Sequence, residues 1–131
     1  MTADAAEKMN VKPLARIVGF ADAAVAPIDF PISPAFAIPK LLECTGIKLE
    51  DVFLFWEKMK LFCVVSHKNK MLKNGPSKKI FMGGISLGIL LGMSGTRIVN
   101  HLVHALSSKQ YGVAAICNGG GGASALMIQK I

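Results

Sequence analysis

Five apolar residues in succession, Val52-Phe53-Leu54-Phe55-Trp56, place the strongest constraint on the fold of this chain. Glu50-Asp51 precede the run and Glu57 follows it, so it is short and bounded by charge. A run of this length without polar alternation reads as a buried strand of a parallel or mixed sheet. Helical patterns lie on both sides of it in the sequence. Ser33-Pro34 reads as an N-cap with proline at the first helical position, and the predicted helix runs to about Thr45 with Gly46 as its stop. Pro39 is a misfit inside that helix and is expected to delay or kink it. A further helix is predicted from Ser94, taken as its cap, to Ser107-Ser108, with Ile98, Val99, Leu102, Val103 and Leu106 at helical spacing. Apolar runs that alternate with helical patterns predict an α/β fold. The chain has 131 residues, enough for one domain with a buried core. With 52% apolar and 18% charged residues, it does not fit the disordered class.

The remaining elements are read in the same way. Pro13–Ala24 begins with a strand-like run that has Leu14, Ile17, Val18 and Phe20 as its apolar members. Pro27, Pro31, Pro34 and Pro39 make the segment after it wind rather than pair. Glu57–Leu72 is a predicted helix with a basic C-terminal half, and Lys73–Lys79 a turn through Asn74-Gly75-Pro76. Ile80-Phe81-Met82 is a short strand ending in the pair Gly83-Gly84. Tyr111–Cys117 and Ala123–Ile131 form a predicted hairpin joined by the glycine turn Asn118–Gly122.

The net charge of +7 is unevenly distributed: residues 58–131 hold ten basic residues and no Asp or Glu, and seven of the ten lie between Lys58 and Lys79. This cluster suits an anionic partner, such as a phosphorylated cofactor, or a solvated helix face and loop. Few aromatics interleave the lysines and no nucleic-acid-binding signature accompanies them, so nucleic acid is not the expected partner. Cys44, Cys63 and Cys117 are odd in number and lack C-x-x-C spacing. A disulfide framework and a zinc site are therefore not expected, and a reducing compartment is. Met1–Asn10 is polar, contains Asp4 and Glu7 and has no Arg, so neither a secretory signal nor a transit peptide is read there. No apolar stretch reaches the length of a membrane span.

Three patterns carry chemical meaning. Cys117-Asn118-Gly119-Gly120-Gly121-Gly122 puts a cysteine at a strand end beside bare backbone that a ligand can approach. Its thiolate can act as base or nucleophile; as a plain free cysteine it would be a buried small hydrophobe. Gly83-Gly84-Ile85-Ser86-Leu87-Gly88 is glycine-rich but lacks the spacing of a nucleotide-phosphate loop. Trp56-Glu57 ends a strand with a carboxylate, which by itself reads as a solvated glutamate at a helix start.

Read in order, P-L-A-R-I-V (Pro13 to Val18), A-D-A-A-V-A-P-I-D-F-P-I-S-P (Ala21 to Pro34), Trp56-Glu57, G-G-I-S-L-G (Gly83 to Gly88), G-M-S-G-T-R-I-V (Gly92 to Val99) and Y-G-V-A-A-I-C-N-G-G-G-G-A-S-A (Tyr111 to Ala125) resemble the C-terminal half of thiolases of the acetyl-CoA acetyltransferase type. The resemblance covers nearly the whole chain. It implies a thiolase C-terminal domain over residues 1–131: a mixed five-stranded sheet with helices on both faces, packing on the N-terminal half through a central helix layer. It implies a family reaction in which two acetyl-CoA molecules join into acetoacetyl-CoA, with the coenzyme A thioester as substrate and no covalently bound cofactor. One cysteine, in the N-terminal half, is acylated; a second, matching Cys117, moves the α-proton.

The same resemblance marks losses. Where the family has N-E-A-F, this chain has Met59-Lys60-Leu61-Phe62, and Met59 cannot orient water as an amide does. Where the family has G-H-P, it has Gly88-Ile89-Leu90, and Ile89 can neither take a proton nor donate a hydrogen bond. His67, His101 and His104 do not occupy the matching position; His101 and His104 are expected at the surface or half-buried. The expectation is a chain without the N-terminal thiolase half, inactive alone, with an uncovered apolar face that associates with itself or with a full-length thiolase subunit. The family is mitochondrial; a chain without an address of its own is expected in the cytosol.

Overall fold

The computed structural model describes residues 1–57, 79–82 and 92–131. A short helix, α1 (Ala3–Lys8), opens the chain, with the Thr2 hydroxyl accepting from the Ala5 N–H; nothing in the sequence reading anticipated it. Strand β1 (Ala15–Ala24) follows, then a 3-10 helix over Pro27–Ile32 where the prolines wind the backbone. Helix α2 spans Pro34–Thr45 and stops at Gly46, which takes φ +67° and donates back to the Leu42 and Glu43 carbonyls. Pro39 stays inside α2. Strands β2 (Val52–Glu57) and β3 (Lys79–Met82) come next. Helix α3 (Ser94–Ala105) and the hairpin strands β4 (Tyr111–Cys117) and β5 (Gly122–Lys130) complete the chain. The expected helix over Glu57–Leu72, the turn to Lys79 and the lysine cluster lie outside the described residues, apart from their ends.

The strands form one mixed sheet in the order β1-β5-β4-β2-β3. β2 runs parallel to both β3 and β4, whereas β5 is antiparallel to β4 and β1. A helix packs on each face of the sheet, as the fold class requires. On one face α2 brings Ala37, Ile38 and Leu41 against Val52, Phe55, Val113 and Met127. On the other, Ile98 and Leu102 of α3, with Leu106 beyond it, pack on Leu54, Ala114 and Ile128. Period-two alternation of the strands explains the split: Val113 and Ala115 face α2, while Ala114 faces α3. A Cβ on Gly112 would meet the methyl groups of Leu106 and Leu102, so the glycine lets these side chains lie close against β4.

Three local expectations are corrected. Ser33 occupies the cap position of α2, but its side chain does not cap the helix. The residue already has helical dihedrals after the 3-10 helix, and its hydroxyl points to the Phe30 and Gly122 carbonyls instead. Ser94 is the first residue of α3 rather than its cap; Met93 precedes it without a capping side chain. The apolar run at β2 is not uniformly buried, because Phe53 is 40% exposed between Val52 and Leu54. The register against β4 shifts there, which turns Phe53 out of the alternation.

Candidate active site

The site is built at the C-terminal edge of the parallel strands. Glu57 ends β2 opposite Met82, the last residue of β3, and opposite Ala115 of β4. Cys117 closes β4 two residues beyond that level. Ligands of α/β sheets collect at this edge, because the loops leaving parallel strands converge there. Trp56-Glu57 and Cys117 are therefore brought to one edge. Met59, Ile89, the Gly83–Gly88 loop, Cys63 and His67 lie outside the described residues.

Cys117 is 7% exposed and not in a disulfide. It pairs with Ala123 across the hairpin, and the turn between them is held from several directions. The Asn118 N–H donates to the Gly122 carbonyl at 2.7 Å, closing the turn. The same carbonyl accepts from the buried Ser33 hydroxyl at 3.0 Å, which ties the turn to the start of α2. The Val25 N–H donates to the Gly121 carbonyl at 3.0 Å, which ties it to the end of β1. The Asn118 side-chain amide donates to Ser124 Oγ at 3.2 Å. Asn118, Gly119 and Gly120 remain exposed at the tip. The arrangement gives a sheltered thiol beside a rigid, open stretch of backbone, the geometry in which a thiol can meet a ligand held by backbone groups.

Glycine is required at two positions of this turn. Gly120 adopts φ +70° and Gly121 φ +92°. A Cβ on Gly121 would also overlap the Val25 carbonyl oxygen. Gly121→Ala is expected to destabilise the chain by roughly 2–4 kcal/mol, since backbone cannot yield as a side-chain tip does. Gly119→Ala, with open space around its Cβ and no positive φ, is expected to change the urea midpoint little. Equal losses at both positions would contradict this account of the turn.

Among the other residues weighed from the sequence, Cys44 is exposed on α2, while His101 is half-buried and His104 exposed on α3, away from this edge. Val25 and Ser33 were missed as anchors of the turn. Ser33 did lie within a recognised segment, but its place before Pro34 pointed to helix capping.

The family model for the thiolase C-terminal domain matches residues 11–130. Among curated proteins, the mitochondrial acetyl-CoA acetyltransferase of Danio rerio is 61% identical over 99% of this chain, and that of Homo sapiens is 57% identical over 100% of it. The chain spans 31% of the length of each. Among solved structures, the Acat5 thiolase from Ascaris suum in complex with coenzyme A superposes with a TM-score of 0.84 at 41% identity, covering 99% of this chain and 34% of that one. The peroxisomal 3-ketoacyl-CoA thiolase of Saccharomyces cerevisiae gives 0.83 at 30% identity, over 97% and 37%. That protein is a five-layered α-β-α-β-α structure constructed from two core domains of identical topology.

Proposed function

The chain belongs to the thiolase family as a thiolase C-terminal domain, and from that premise we propose that it carries one part of a coenzyme A thioester site, with Cys117 as the proton-transferring thiol. The observation that carries the reading is the placement of Cys117: at the end of β4, on the strand edge where ligands collect, in a turn fixed by Val25 and Ser33. A thiolate there can take the α-proton of a bound acetyl thioester and return it in the reverse direction, while preorganised donors stabilise the developing enolate oxygen. Coenzyme A in the Ascaris thiolase supports a CoA thioester as the substrate class. The mitochondrial relatives support a mitochondrial setting.

The 131 residues by themselves do not turn over in this reading. In this reading acyl transfer belongs to a cysteine outside the matched C-terminal half, and Met59 and Ile89 stand where a water-orienting amide and an activating histidine would be needed. The site is completed by a second domain of thiolase topology packed on the α3 side of the sheet. Incubation of the chain with acetyl-CoA should therefore leave its intact mass unchanged and produce no acetoacetyl-CoA. A covalent acetyl adduct together with acetoacetyl-CoA would overturn the reading.

A second reading, in which the chain docks on another thiolase subunit, is favoured by one observation: Ile17 and Phe20 on β1 are 67% and 73% exposed.

A further inference from the structure

Among the described residues, Ser33 is the one polar residue that is fully buried. Its hydroxyl lies 2.6 Å from the Phe30 carbonyl oxygen and 3.0 Å from that of Gly122. A hydroxyl has a single proton to donate, so the two acceptors share it. Neither carbonyl depends on it. Phe30 already accepts from the Ser33 N–H at 3.2 Å, and Gly122 from the Asn118 N–H at 2.7 Å. The hydroxyl is therefore surplus to the backbone hydrogen bonding on both sides. What it adds is a link between residues 89 apart in sequence, joining the end of the 3-10 helix Pro27–Ile32 to the turn after Cys117.

The thiol lies on the same side of the sheet as that link. Cys117 pairs with Ala123, which belongs to the cluster under α2, so period-two alternation puts its side chain on the α2 side. The 3-10 helix runs directly into α2 and packs on the glycine turn and on β4 and β5. It covers this end of the hairpin, where Cys117 is 7% exposed although the tip of the turn is open. The other tie to the turn, from the Val25 N–H to the Gly121 carbonyl, is made by backbone alone. Ser33 is the side chain that fastens the cover.

We propose that Ser33 is a positioning residue for Cys117: its hydroxyl clamps the 3-10 helix to the turn and so sets how far the thiol is open to a ligand. The proposal deepens the reading of Cys117 as the working thiol, and it acts through access, ahead of any chemistry. Because both carbonyls keep a backbone donor, removing the hydroxyl releases the clamp without leaving a buried acceptor unpaired. Thiol reactivity and chain stability are then separable, which they are not if the serine only supports the fold.

Iodoacetamide alkylation of the folded 131-residue chain is the test, with Cys44 and Cys117 quantified separately by peptide mass spectrometry. Cys44 is exposed and serves as the internal reference. Ser33→Ala should raise the Cys117 rate relative to Cys44 by about 5- to 10-fold, the scale of one lost hydrogen bond in a local opening equilibrium. Leu102→Val, in the core on the opposite face of the sheet, should lower the urea midpoint at least as much and leave that ratio unchanged. An unchanged ratio in Ser33→Ala, or an equal rise in Leu102→Val, overturns the proposal. The readout needs no turnover, so the two layers fail separately. If Cys117 has no part in proton transfer, a rate that depends on Ser33 still establishes the clamp; if the rate ignores Ser33, the clamp falls and the proton-transfer reading is untouched.

Discussion

Phe55→Ala is expected to cost about 3–5 kcal/mol of folding stability, whereas Phe53→Ala, two residues earlier on the same strand, is expected to cost about 1 kcal/mol or less. Phe55 is 1% exposed and lies in the core cluster with Ile38 and Leu41 of α2 and with Val113 and Met127 of the hairpin. Its ring joins β2, the strand that runs parallel to both β3 and β4, to the helix that covers this face. Removing it leaves a cavity that close-packed neighbours fill only in part. Phe53 is 40% exposed at the register shift, so its ring contributes little buried area. Native domains are stable by only about 5–15 kcal/mol, so Phe55→Ala should bring the chain close to unfolding at physiological temperature. Urea melts of the two variants check the contrast; equal midpoints would contradict the assignment of the core.

The second large effect is catalytic. Acetoacetyl-CoA formation by the 131-residue chain is expected to fall on the order of 10⁴-fold or more below that of an intact thiolase, the scale seen when members of a catalytic unit that act together are removed. In the proposed reading the Cys117 thiol acts only on a thioester held in place by a nucleophile outside these residues. Cys117→Ala in this background should change neither the residual rate nor the melt by much. Without an acylated enzyme to act on there is no rate to lose, and the substitution removes a single small group.

Much of this was legible in the sequence, for reasons that differ by element. Helix α2 was readable at both ends because proline and glycine report backbone geometry directly, as Gly46 does with its positive φ. The hairpin was readable because two apolar runs flanked one glycine cluster. Ser33 was misread because a serine before a helical proline has a common local use, and its partner at Gly122 is 89 residues away. No window of sequence contains such a contact. Phe53 was misplaced for a related reason: the slip in register between β2 and β4 depends on how two distant strands meet. The apolar residues of β1 were recognised, but their exposure was not, since periodicity cannot say which face lacks a cover. At the site, the glycine turn and Cys117 were visible as a motif, while the anchoring by Val25 emerged only from the fold.

The most direct measurement of the central claim grafts this chain in place of the matching C-terminal segment of the Danio rerio relative and follows acetoacetyl-CoA formation. The graft as it stands should be inactive. Met59→Asn together with Ile89→His should restore turnover, and adding Cys117→Ala to that folded, active graft should abolish it again, by about 10³-fold or more. Turnover that returns with the two substitutions and persists without the Cys117 thiol would contradict the assignment of that residue to proton transfer.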